Sequence, residues 1–164
     1  MIAAAATEGA AQRHRAARRR SIARLAAVQA LYQLELNPGR GADSVIGEFI
    51  HHRIGREIDG EAYGAADEAL FADIVRGVAA NRERLDETLS AALSEEWPLA
   101  RLETLLRIIL ESGAYELVHR ADIPPRVTLS EYIAIAHAFF DGKEPALANG
   151  VLNRLARTLR GADL

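Results

Sequence analysis

Arg13, Arg15, Arg18, Arg19, Arg20 and Arg24 crowd one short stretch, and no Asp or Glu occurs between Glu8 and Glu35. A guanidinium is a planar, permanently charged fork that matches phosphate oxygens in pairs. The chemistry this stretch offers is therefore polyanion binding. Arg20 and Arg24, four residues apart, would share one helix face. A helix start placed near Arg15 would add its unpaired N–H groups and positive dipole end, both of which attract phosphate. The alternative is a solvated basic tail.

A second set lies near the C-terminus. At 100° per residue, Asn149, Asn153, Arg157 and Arg160 fall within about 80° of one another, and Gly150 leaves room for close approach. Asn can read base edges and Arg can hold phosphate; an ordinary solvated face gives the same pattern. Arg126 follows a double proline and could hold a phosphate from a rigid loop. Tyr32 sits far from the helix start and reads as a core or partner contact rather than a base-stacking ring.

Catalytic patterns are weak by comparison. His51 and His52 are adjacent, so their side chains diverge on a helix and make poor metal ligands without distant help. Glu95 and Glu96 are adjacent too. His119-Arg120-Ala121-Asp122 has no accompanying glycine-rich loop, and the segment Leu110 to Ala114 lacks the glycine that a nucleophile elbow needs before its Ser112. No GxxxxGK[ST] motif occurs. With no cysteine there is no thiolate nucleophile, disulfide or Cys-ligated zinc. These features predict neither an enzyme nor a bound cofactor or metal.

The elements that must position these groups read as helices. From Ala23 to Leu36 the only polar side chains are Arg24, Gln29, Gln33 and Glu35, which suits a helix at the centre of a bundle. The helix is expected over 15–36, after a mobile tail over 1–14, and is stopped by Asn37-Pro38-Gly39. A short helix is expected over 43–56, with Gly55, Gly60 and Gly64 marking a loop. One helix over 67–81 and another from Asn81 to about Leu93 follow from their apolar spacing. A further central helix should run from Pro98 to about His119, with Gly113 marking close packing or a bend. Ile123-Pro124-Pro125 reads as non-helical, and Thr128 with Glu131 as a capping box opening the next helix. Glu144-Pro145 opens the last one. The expected architecture is all-α, about seven helices in two adjacent three-helix subdomains, about 15–96 and 97–164.

The bulk numbers fit this reading. Net charge is −3 over 164 residues, yet residues 1–34 carry +5, so the rest sums to −8. A basic end on an acidic body suggests a local polyanion site. Of the basic residues only Lys143 is Lys; this would suit bidentate phosphate contacts, but the abundance of Ala favours base composition as its cause. No apolar run approaches the roughly 18 residues that a membrane span requires, and no secretion signal precedes the chain's first helix. A soluble, cytoplasmic protein is expected.

RRRSIARLAAVQALYQLEL, LFADIVRGVAANRERLD, ESGAYEL with ADIPPRVTLSEYIAIAHAF, and ANGVLNRLAR occur in that order. Together they resemble the NusB family over about Arg15 to Arg157. The resemblance implies an all-α protein without catalysis or cofactor. It implies binding of boxA RNA jointly with the ribosomal protein NusE, within antitermination complexes on RNA polymerase during ribosomal RNA transcription. By position it implies RNA contacts at Arg19, Arg20, Ser21 and Arg24, with Arg18 beside them, and at Arg126, Asn149 and Asn153. It implies NusE contacts at Tyr32, Leu106, Lys143, Glu144 and Leu147. At Leu106 and Lys143 this chain departs from the acids common in relatives. A different class is also represented: the chain resembles the N-terminal domain of some RNA cytosine methyltransferases, whose cofactor-binding domain would have to follow Leu164. A third reading is a homodimeric helical protein, as some NusB relatives are dimers.

Overall fold

A computed structural model describes residues 1–54, 57–58, 61–62 and 66–164. It contains α1 (Ile2–Leu36), α2 (Ala42–His52), two two-residue strands β1 (Glu57–Ile58) and β2 (Glu61–Ala62), α3 (Glu68–Ala92), α4 (Thr104–His119), α5 (Pro125–Phe139) and α6 (Glu144–Arg160). The strands pair antiparallel, Glu57 opposite Ala62, where the sequence shows no strand. Gly55, Gly60 and Gly64 lie outside the described residues.

Helices α1, α2 and α3 pack on one another, as do α4, α5 and α6, and α4 also lies against α1 and α3. The buried apolar side chains form one continuous core. α4 is its axis, with every residue from Ile108 to Leu117 buried. Gly113 permits this: a Cβ there would lie 3.0 Å from Leu152 of α6, which is the close packing expected from the sequence. Gly77 in α3 likewise accommodates the ring of Tyr115, whose hydroxyl donates to Asp73 at 2.8 Å.

Several boundaries differ from expectation. α3 is one helix kinked at Asn81 (φ −117°, ψ 15°), whose Nδ2 donates to the Gly77 carbonyl at 2.8 Å. A polar side chain bonding its own backbone reads in sequence as a helix start, and this accounts for six α-helices among the described residues against about seven expected. Pro98 opens a short 3₁₀ turn, Leu99–Arg101, and α4 begins only at Thr104. α5 starts at Pro125, not at Thr128. A proline suits the first helical position because the N–H it lacks would be unbonded there anyway. Thr128 is therefore inside the helix and buried, and Glu131 does not cap it.

The largest difference concerns α1. It begins at Ile2, and everything before Ser21 except Gly9 is exposed. Residues 1–12 bury little, as the sequence suggests, but Ala-rich chain has high helix propensity. The buried half of α1 supplies the nucleus from which it propagates.

Candidate nucleic-acid interface

The arginine stretch is thus in the middle of a long helix. Its backbone N–H groups are engaged within α1, so a helix-dipole site at Arg15 does not exist. The side chains alone define the surface. Arg18, Arg19 and Arg20 are exposed. Arg20 Nε lies 3.9 Å from Asp67 Oδ2, and the Asp67 N–H donates to the Arg19 carbonyl at 3.0 Å. The start of α3 is pinned to α1 at this point. Asp67 also caps α3, accepting from the Leu70 N–H at 3.0 Å.

Arg24 is positioned differently. Only 1 % of it is exposed. Its Nε donates to both carboxylate oxygens of Glu116 (3.1 and 3.0 Å), and its Nη2 donates to Glu116 Oε1 at 3.0 Å. Its Nη1 lies 3.7 Å from Glu131. Burial alone would lower the Arg24 pKa, but Glu116 more than offsets this and the net shift is upward. Arg24 therefore ties α1 to α4 and α5 and presents no surface to a ligand, contrary to its expected role. Ser21, at the rim, donates to Glu131 Oε1 at 2.9 Å and to the Ala17 carbonyl at 3.1 Å. Tyr132 completes the cluster; burial first, then the nearby Glu116 charge, pushes its hydroxyl well above the usual value.

The loop joining α4 to α5 faces the same end of α1. Arg120 grips Asp122 at 3.0 and 2.9 Å and Asp73 at 3.0 Å. Arg160, at the end of α6, donates to the carbonyls of Arg120, Ala121 and Ile123 at 3.4, 3.3 and 3.2 Å. The Arg120 hydrogen bond pulls the Asp122 carboxyl down to about 2, and the field of Arg20 adds to the effect. Arg126 is exposed on the first turn of α5. In sequence it is bracketed by two contacts with α1: Asp122 in the field of Arg20, and Glu131 bonded to Ser21.

Four of the eight expected RNA-contact residues, Arg18, Arg19, Arg20 and Arg126, are exposed; Arg20 and Ser21 lie on the side of α1 that meets α5, whereas Arg18 and Arg19 turn away from it. Asn149 and Asn153 belong to α6, where Asn153 Nδ2 donates to the carbonyl and side-chain oxygen of Asn149. Arg160 of the same helix face is occupied in clamping the loop.

A second surface gathers most of the expected protein contacts. Leu106, Lys143, Glu144 and Leu147 line a groove of about 430 Å³ with Trp97, Arg101 and Leu102. Trp97 is 45 % exposed, whereas Leu106 is buried at 2 %. Tyr32 is exposed on α1 and does not line this groove. Among the described residues, no group of three or more His, Asp or Glu could hold a metal ion, and no helix is long and apolar enough to cross a membrane.

Sequence reasoning missed the buried ionic groups of α4. Glu111 and Glu116 sit in a helix covered on all sides, so each needed a partner, and that was the available signal. Glu111 Oε2 lies 3.2 Å from Arg82 Nε of α3, and Glu35 of α1 pairs with Arg82 at 2.9 Å and with Arg107 of α4. Burial first, then a hydrogen bond with Asp86 of α3, pushes Glu111 up to about 8. The folded protein therefore holds a proton that the unfolded chain releases above its ordinary value of 4.5. Stability from this group is complete below that value and falls as pH rises toward about 8. Urea unfolding across that window should show wild-type stability falling more steeply than that of Glu111→Gln. Parallel profiles would show that Glu111 does not retain its proton.

A model of the NusB family matches residues 21–157. The transcription antitermination protein NusB of Bradyrhizobium sp. (strain ORS 278) is 48 % identical over 150 residues, covering 92 % of this chain and 89 % of the relative. That of Caulobacter vibrioides is 48 % identical over 141 residues, covering 86 % and 94 %. A solved structure of T. maritima NusB superposes with a TM-score of 0.68 at 30 % identity, covering 85 % of this chain and 90 % of the other.

Proposed function

The chain belongs to the NusB family of transcription antitermination proteins, and we propose that in this role it binds boxA RNA at Arg20 and Arg126, with Arg18 and Arg19 extending the surface around α1. The observation that carries the reading is the exposed run Arg18, Arg19 and Arg20, in a stretch of chain with no Asp or Glu, held on a helix whose other half is core. A single RNA strand would be held there by phosphate contacts, with bases reached by nearby polar groups such as Ser21.

NusE is the proposed protein partner, docking on the groove lined by Trp97, Leu106, Lys143, Glu144 and Leu147. An exposed aromatic ring beside an apolar floor, rimmed by charges of both signs, suits a protein contact. Lys143 at the rim calls for an acid on the partner. The resulting complex would join RNA polymerase in the cytoplasm.

The test is an equilibrium titration of boxA and scrambled RNA, with and without NusE, combined with sedimentation. The reading expects boxA to bind at least about tenfold tighter than scrambled RNA, a difference of about 1.4 kcal/mol, and NusE to enlarge the gap. Equal affinities with NusE present contradict it, as does a homodimer that forms no complex with RNA.

A further inference from the structure

The half of α1 upstream of Ser21 is an exposed helix that carries Arg13 and Arg15. It precedes the segment that matches the NusB family, residues 21–157. Arg13 and Arg15 are exposed, and neither is ion-paired among the described residues. In the body of the chain Arg24, Arg40, Arg76, Arg82, Arg107, Arg120 and Arg160 pair with carboxylates, whereas Arg53, Arg84, Arg101, Arg126, Arg154 and Arg157 resemble Arg13 and Arg15 in having no ion pair among the described residues. The acidic side chains that neutralise the body are withheld from this segment, since none lies between Glu8 and Glu35.

The helix also aligns these arginines with the site already described. At 100° per residue, Arg13 falls on the same line as Arg20, two turns away. That line continues to Arg24, whose guanidinium meets Glu116 and Glu131, so Arg13 projects on the side of α4 and α5. Arg15 falls beside Arg18 and Arg19, at three- and four-residue spacing, on the opposite side of α1. The two residues thus extend two rows of positive charge beyond Arg20, by about 10.5 Å for Arg13 and about 7.5 Å for Arg15 at 1.5 Å per residue.

We propose that this projecting half of α1 is a second phosphate-binding segment, which holds single-stranded RNA flanking the element bound at Arg20 and Arg126. The inference rests on the RNA-binding reading above. It adds a contact dominated by backbone phosphate, which exposed arginines on a helix meet without reading sequence, although Gln12 and His14 stand exposed beside Arg13 and Arg15. Such contacts lengthen the bound RNA and steepen its salt dependence.

The experiment compares full-length protein with Arg13→Ala/Arg15→Ala on two RNAs. One is a boxA oligonucleotide of about 12 nucleotides, within the ~4–16 nucleotides typical of one binding module. The other carries the same element within about 30 unstructured nucleotides. Alanine is the best helix former, so circular dichroism should show α1 intact. Wild type should bind the longer RNA more tightly, and the variant should lose that gain. Its log–log salt slope on the longer RNA should fall by up to about 1.4, at ~0.7 per lost contact, while the short RNA binds as before. Equal loss on both RNAs, or no loss on either, overturns the inference and leaves the main site standing. Failure of wild type to bind even the short RNA overturns both. Phosphatidylserine vesicles provide the last arm: binding that depends on Arg13 and Arg15 there but not on RNA would reassign the segment to a lipid surface.

Discussion

Replacing Glu116 by Gln is expected to destabilise the protein by about 3–5 kcal/mol, the usual effect of removing one partner from a buried ion pair. Glu116 is completely buried and accepts three hydrogen bonds from Arg24, itself 1 % exposed. A glutamine keeps the shape but carries no charge, so the guanidinium is left with Glu131, 3.7 Å away and a quarter exposed. For a chain of this size each kcal/mol shifts the melting temperature by about 2–4 °C, so a drop of roughly 10 °C should be visible in a thermal scan. A second variant separates the ion pair from the packing. Arg24→Met with Glu116→Leu removes both charges and fills the space with apolar atoms, which in buried pairs is often neutral or better. That double variant should recover most of the lost stability. It should also bind RNA like wild type, because Arg24 supports the arginine face from beneath without touching a ligand. An RNA-binding defect in a well-folded double variant would return Arg24 to the contact surface.

Arg24 also shows where the sequence was legible and where it was not. The helices follow from apolar residues at three- and four-residue spacing, and their order and most of their ends were readable from that alone. Four-residue spacing does put Arg20 and Arg24 on one helix face, but it does not say which end of that face is buried. Arg24 lies one turn from Ala27 and Val28 and two turns from Leu31, all buried. The same periodicity that identified the helix therefore places Arg24 inward. The carboxylates that receive it, Glu116 and Glu131, come from helices far along the chain, and no local pattern links them. Glu131 was read as a capping residue because Thr128 stands at the right spacing, but the proline at 125 lets α5 begin earlier. The corner containing Arg126 depends on contacts between distant segments: Arg160 holding the loop carbonyls, and Asp122 lying in the field of Arg20. Only the family resemblance linked Arg126 to the arginine stretch in advance.

The arginine corner itself is tested by Arg20→Ala combined with Arg126→Ala. Both side chains are exposed, and surface changes of this kind usually alter stability by no more than ~0.5 kcal/mol. The weak pairing of Arg20 with Asp67, at 3.9 Å and half exposed, adds little to the fold. Loss of binding can therefore be read as loss of contact. Charge-assisted hydrogen bonds are worth about 1.5–3 kcal/mol each, so the double variant should bind boxA RNA at least about tenfold more weakly at low salt. The decisive measurement is the salt dependence of that affinity, wild type against variant, over the same range of ionic strength. Loss of two phosphate contacts should reduce the log–log slope by up to about 1.4. An unchanged slope and affinity in a folded variant would contradict the account and move the RNA site away from the start of α1.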